Sequence, residues 1–426
     1  MAYLIISHPR HYRHTELSHI PGIWTRDWTL WTEGVDYLIA KGTGKFSKGR
    51  ECSPYAYEQA PSWSPSKGSA RTPSRATMKA VGHDLTNFLD WCEARAVDWR
   101  EIGYRDLIQH YQGDMQAGKW NQRQRGVPLA SSTINRRILF VCDFLSFAAH
   151  KGYRGPFEVE YLTVLDPRQK RSFTKSRDGK VRQHPRDLRI PTIEEAAHWL
   201  EALKNERGRT PNLMAKSAIG IALRAEELLL LRADQVPAMP ERDVRTVAMR
   251  VCYGAKGGRD PHDPEKKGKP RDVRVSVKLL AELHGYMSGH RKLCLKRFRD
   301  RNPGKSLPKE LFLSKHTGRP LSYSRFYALW RSVELPFNGF SPHVARHMWA
   351  CYTLVEKIRE EVELSTGVDG PLRGVAANMH ETLIQTYILP QLGHVDEKTS
   401  QMYLRWVVDL FDMTSPRESW WDFLNE

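Results

Sequence analysis

Three short segments in the second half of the chain carry residue types suited to work on a phosphodiester. Such a centre is anionic, and it gathers further charge as it becomes pentacoordinate, so fixed cations must surround its non-bridging oxygens. Arginine suits the task because its planar fork makes two hydrogen bonds and keeps its charge. A nucleophile and a general acid complete the set. The first segment, Ala222-Leu223-Arg224-Ala225-Glu226-Glu227-Leu228, sets Arg224 at the end of an apolar helix. A lone cation there is costly unless paired, and Glu227, one turn on, can hold it. In the second, Ser341-Pro342-His343-Val344-Ala345-Arg346-His347, a helix starts at Ser341 or Pro342 and carries His343 and Arg346 on one face of its anion-favouring end. The third is Leu392-Gly393-His394, where glycine permits a tight turn from which His394 points, and Tyr403 follows nine residues later on the next helix. Alone, each segment also reads as architecture: an internal Arg–Glu pair, a capped core helix, a packed tyrosine.

The elements that must position these residues follow from pattern. Met78, Val81, Leu85, Phe88, Leu89 and Cys92 recur at helical spacing, and a second helix runs from about Thr133 to Ala149 with Ser131 or Ser132 as its cap. Arg136 and Arg137 lie off its apolar face near the first turn, where the helix dipole gives cations nothing, and are candidates for phosphate contact. Thr192 and Glu195 form a capping box that opens a new domain after Pro191. A helix over Asn212–Leu223 precedes two alternating strands, one with Val247, Met249 and Val251 inward, the other with Val273 and Val275. Residues 1–70 read as a small N-terminal element and tether holding Trp24, Trp28, Trp31 and Trp63, and 166–190 as a basic linker able to lie along a phosphate backbone.

Charge agrees with a polyanionic partner. The chain of 426 residues carries 66 Lys+Arg against 49 Asp+Glu, a formal +17, which points to nucleic acid. No apolar run is long enough for a membrane span. Six scattered cysteines without a C-x-x-C pair fit a reduced, cytoplasmic protein with neither zinc nor disulfides. No metal and no cofactor is expected.

Taken in order, the Leu-Arg-x-x-Glu-Leu, H-x-x-R-H and L-G-H segments, with a tyrosine nine residues beyond the last histidine, resemble the tyrosine recombinase (phage integrase) family of site-specific DNA recombinases. The match covers about 191–410, and the Ser132-Thr133-Ile134-Asn135-Arg136-Arg137-Ile138 segment resembles the last helix of the family's core-binding domain. The resemblance implies a mainly α fold with a small antiparallel β-sheet, in which a helical core-binding domain (71–165) precedes a mixed α/β catalytic domain (191–426). It implies that Tyr403 attacks the scissile phosphate to form a 3′-phosphotyrosyl bond. Arg224 and Arg346 would clamp the non-bridging oxygens, His343 and His394 would hydrogen-bond the phosphate, and Glu227 would support Arg224. A hairpin lysine would serve as general acid. Lys256 is the choice, with Lys266, Lys267 and Lys269 competing in the same long turn and, with Arg271, candidates for DNA contact.

The expected partners are double-stranded DNA, copies of the chain itself (a homotetramer on paired sites, a monomer or weak oligomer when free) and accessory proteins. The expected role is movement of a mobile genetic element. A nicking and resealing topoisomerase and a catalytically silent architectural factor are the competing readings. Arg346 and His394 stand 48 residues apart, so about 358–385 reads as an insertion. The apolar tail with Trp406, Val407, Trp420 and Trp421 reads as a docking segment, in cis or in trans.

Overall fold

The computed structural model describes residues 2–5, 17–44, 73–122, 124–165, 173–183, 188–254, 270–366, 382–393, 402–404 and 406–407. They fall into two compact units that divide between residues 183 and 188. Both are mainly helical, with small antiparallel two-stranded sheets.

In the first unit the apolar spacing of 78–92 produces helix α2 (Arg75–Arg95), capped by Ser74, whose side chain accepts from the Thr77 amide. It packs beside α4 (Ser131–His150), which buries Ile134, Ile138, Val141, Leu145 and Ala148 as their spacing predicts. Neither Ser131 nor Ser132 caps α4. The helix begins one residue sooner than a serine cap requires, and Ala130 takes the N-cap position without a side-chain bond. Between them runs α3 (104–116), with a wider π turn over Leu107–Gln112.

Two expectations for this unit are corrected. Residues 17–44 form the small N-terminal element, but it is not separate from the helical domain expected over 71–165. The strand pair β1 (Tyr3–Ile5) and β2 (Gly22–Trp24) leads to α1 (Thr32–Gly42), and Ile23, Trp31, Tyr37 and Leu38 join the same core as Phe88 and Phe144. Nor is the whole of 166–190 a linker. Strand β4 (Phe173–Arg177) pairs antiparallel with β3 (Tyr161–Leu165). The residues after it are docked on the helices: Tyr104 donates to the Asp178 carbonyl at 2.6 Å, Gln112 to Gly179 at 2.7 Å, and Asn135 exchanges two hydrogen bonds with Val181.

The second unit opens with α5 (Ile193–Arg207), held by the reciprocal Thr192–Glu195 bonds at 3.1 and 2.8 Å. Helix α6 (Arg209–Gly220) ends earlier than expected. Ala222 adopts φ 57°, left-handed geometry that no helix continues through. Arg224 is therefore the N-cap of the next helix, α7 (Ala225–Leu229), not the end of an apolar one. Strands β5 (Thr246–Val251) and β6 (Arg271–Ser276) pair with Met249 opposite Val273 and Val247 opposite Val275. Helix α8 (277–301), with a π turn over Tyr286–His290, α9 (Tyr323–Trp330), α10 (Pro342–Thr366) and α11 (382–392) complete the unit. Trp199, Trp330 and Phe340 form its aromatic centre, and a second cluster of Leu354, Ile358, Ile384, Ile388 and Tyr403 closes it.

Candidate active site

The end of α11 organises the site. A helix C-terminus leaves carbonyl oxygens without intrahelical donors, and here three consecutive ones are taken by three different arginines. Arg271 donates from Nε to the Gln391 carbonyl at 3.0 Å, Arg346 donates to Leu392, and Arg224 donates to Gly393 at 3.2 Å. Gly393 ends the helix with φ 58°, which glycine adopts at little cost. A Cβ there would stand 2.9 Å from Arg271 Cδ. Gln391 adds three bonds of its own: its amide donates to the Ile221 and Arg274 carbonyls and its oxygen accepts from the Arg274 amide. The turn is thus tied to α6, β6, α7 and α10 together.

Glu227 is the single carboxylate in this set, and it is fully buried. It accepts from the Arg224 amide and side chain, each at 2.8 Å, and from both terminal nitrogens of Arg271. Burial alone would raise its pKa, but Arg271, followed by Arg224, brings it below the ordinary carboxylate value. Three guanidinium groups stand against this one carboxylate, so the site carries a net positive charge.

Arg346 bears most of that excess. It is 1% exposed and donates to the Ala222 and Leu392 carbonyls, while its buried Nε has no hydrogen-bond partner among the described residues. Burial, and after it the positive Arg224, push its pKa down to about 9. A cation under such pressure is stabilised by an incoming anion.

Tyr403 packs under the same helix. It is fully buried, and its hydroxyl lies 2.9 Å from Nδ1 of His347, the residue after Arg346. The His347 ring in turn stands edge-on to His343, with centroids 4.4 Å apart, and His343 is exposed at the first turn of α10. Burial raises the Tyr403 phenol well above its ordinary value, and Arg346 offsets only part of that.

The structure therefore brings Arg224, Arg346, His343 and Tyr403 into one unit, and joins the two arginines through the Leu392–Gly393 turn. His394, Lys256, Lys266, Lys267 and Lys269 lie outside the described residues. Arg271 sits inside the site as a brace for Glu227 and Gln391, with 12% of its side chain exposed. Arg136 and Arg137 belong to the first unit. Arg136 binds Asp84 through two bonds of 2.8 and 3.0 Å, and Arg137 reaches Asn87 at 2.7 Å. Sequence reasoning gave no role to His347 or Gln391. The one available signal for Gln391 was its place among the last carbonyls of a helix beside a glycine stop.

No family model matches the chain, and no curated protein matches it. Solved structures do match. They include the XerH site-specific recombinase bound to a palindromic difH substrate in a post-cleavage complex, at 13% identity over 80% of this chain and 79% of that one, with a TM-score of 0.47. The Tn1549 transposon integrase in complex with circular intermediate DNA matches at 13% identity over 77% of this chain and 89% of that one, with a TM-score of 0.44. A lambda integrase dimer bound to a core site matches at 9% identity over 78% and 90%, with a TM-score of 0.43.

Among the described residues no cluster of three or more His, Cys, Asp or Glu could hold a metal ion, and no helix is long and apolar enough to cross a membrane. Cys92, Cys252, Cys294 and Cys351 are free thiols.

Proposed function

We propose that this chain is a site-specific DNA recombinase that cuts and rejoins strands through Tyr403 and serves a mobile genetic element. One observation carries the reading: a buried excess of arginine charge, with the Arg346 Nε unpartnered among the described residues, lies beside a buried tyrosine whose hydroxyl is already hydrogen-bonded to a histidine. A phosphodiester supplies the anion that Arg346 lacks.

In the reaction, Tyr403 Oη passes its proton to His343 and attacks the phosphorus, and the bond to the 5′-oxygen breaks. The enzyme keeps the 3′-phosphate as an ester, and the leaving oxygen takes a proton to become a 5′-hydroxyl. Lys256 is the proposed donor of that proton, and His343 and His394 the proposed hydrogen-bond donors to the phosphate. The phosphotyrosyl bond keeps the energy of the phosphodiester, so a second 5′-hydroxyl can reverse the attack without a cofactor. Duplex DNA is the partner, and a homotetramer on paired sites is the assembly that exchanges four strands. Arg136, about half exposed despite its bond to Asp84, is a proposed backbone contact of the first unit.

The test uses DNA from the borders of the element that encodes the chain, nicked beside each cleavage point so that the short leaving strand diffuses away. A denaturant-resistant adduct with the native protein and none with Tyr403→Phe is the expected result. An adduct that persists with Tyr403→Phe overturns the choice of nucleophile.

A further inference from the structure

A second basic feature lies apart from the residues that surround Tyr403. Helix α8 ends in Arg291–Arg301, where Arg297 and Arg301 stand one turn apart on the same face. Like charges at that spacing repel. The turn that follows Leu313 is pressed against this face. Gly318 there has φ 68°, and a Cβ on it would overlap the Cys294 carbonyl and the Phe298 backbone. Arg297 donates to the Lys315 carbonyl and Arg301 to the His316 carbonyl, each at 2.5 Å. These bonds hold both guanidinium groups in place without neutralising them. Helix and turn together border an open surface cavity of about 370 Å³ lined by the exposed Arg297, Arg301, Lys315 and His316. None of the four forms an ion pair with a carboxylate among the described residues. The positive field reaches His290, whose protonated form is disfavoured first by burial and then by Arg209, Arg297 and Lys315.

We propose that this cavity is an oxyanion site for phosphate groups. Fixed guanidinium groups with free donors match phosphate oxygens through paired, charge-assisted bonds. The source the chain would meet is the backbone of duplex DNA, and that part rests on the recombinase reading above. Free polyphosphate presents the same chemistry.

The test compares the full-length protein with a double variant, Arg297→Gln with Arg301→Gln. Calorimetric titration with inorganic pyrophosphate at low salt should show saturable binding that weakens about tenfold or more in the variant. Loss in this variant assigns the binding to the cavity and not to Arg346. In the DNA arm, the slope of log affinity against log salt should fall by about one to two, and interference by phosphate ethylation should vanish at one flanking position.

Pyrophosphate binding with an unchanged DNA slope keeps the site and makes free polyphosphate its source. A reduced slope alone keeps it with DNA as the source. No pyrophosphate binding together with an unchanged slope overturns the proposal. Lys315→Gln, on the turn, repeats both arms if the double variant does not fold. Adduct formation on nicked DNA at saturating protein should survive these substitutions, so failure of this site and failure of the Tyr403 reading are separable.

Discussion

The hydroxyl of Tyr403 and Nδ1 of His347, 56 residues apart in the chain, meet at 2.9 Å inside a core that excludes water. Burial favours the protonated phenol, and the His347 tautomer sets which of the two groups donates. The bond holds the side chain away from any substrate outside the core. In the proposed reaction this is the resting position of Tyr403, from which DNA releases it.

His347→Leu removes the hydrogen-bond partner and keeps most of the bulk. A single neutral hydrogen bond contributes about 1 kcal/mol, so the released population should rise about fivefold. Single-turnover adduct formation on nicked DNA should accelerate by that factor where release limits the rate. A slower reaction with unchanged DNA affinity would instead make His347 the acceptor of the phenolic proton in the attack.

Tyr403→Phe should reveal the same burial through pH. A phenol whose pKa is raised in the folded state holds its proton more tightly there than in the unfolded chain, where the ordinary value is 10.0. Its contribution to stability is complete below that value and is lost as pH rises beyond it. The stability difference between the native protein and Tyr403→Phe should therefore fall by up to ~1.4 kcal/mol per unit above about pH 10. Urea unfolding at pH 9, 10 and 11 measures it. Parallel curves for the two proteins would show that the hydroxyl is not buried in solution.

How much of this was legible beforehand depends on the range of the interaction. Helix α2, the Thr192 capping box and the Val247/Met249 against Val273/Val275 pairing were readable because periodicity and caps are local. The order of Arg224, His343, Arg346 and Tyr403 was readable for a different reason, resemblance. Strand β4 was hidden because Phe173-Thr174-Lys175-Ser176-Arg177 is mostly polar and takes its place only by pairing with β3. The break that makes Arg224 an N-cap falls at Ala222, whose φ of 57° no residue type advertises. Arg271 reads as one more cation in a basic turn until tertiary structure sets it between Glu227 and the Gln391 carbonyl.

Glu227→Gln tests that brace. Removing one partner from a buried ion pair costs ~3–5 kcal/mol, and here two arginines lose their counter-charge at once. The folded carboxylate has a pKa below its ordinary value of 4.5. Its stabilising effect is therefore present above that pH and is lost as pH falls through the lower folded value. Thermal unfolding should show the variant well below the native protein at pH 7, with the gap closing toward pH 3. A gap that stays constant across this range would place the charge elsewhere. Adduct yield should fall as well, since Arg224 loses the partner that orients it.

The first unit makes a separate prediction through Trp31. Its ring is 4% exposed, 4.8 Å from Phe144 and 5.9 Å from Trp99, and a Cβ on Gly34 would collide with it. Trp31→Ala should cost ~3–5 kcal/mol through lost burial and the cavity left behind. The two units have separate cores, so the loss should be confined to the first. Unfolding followed by proteolysis should show fragments from 1–183 appearing at lower denaturant than in the native protein, while the unit that carries Tyr403 keeps its midpoint. If residues 17–44 were a loose extension in solution, Trp31→Ala would leave both transitions where they are. A shift of the first transition alone would establish that the N-terminal segment is part of the domain.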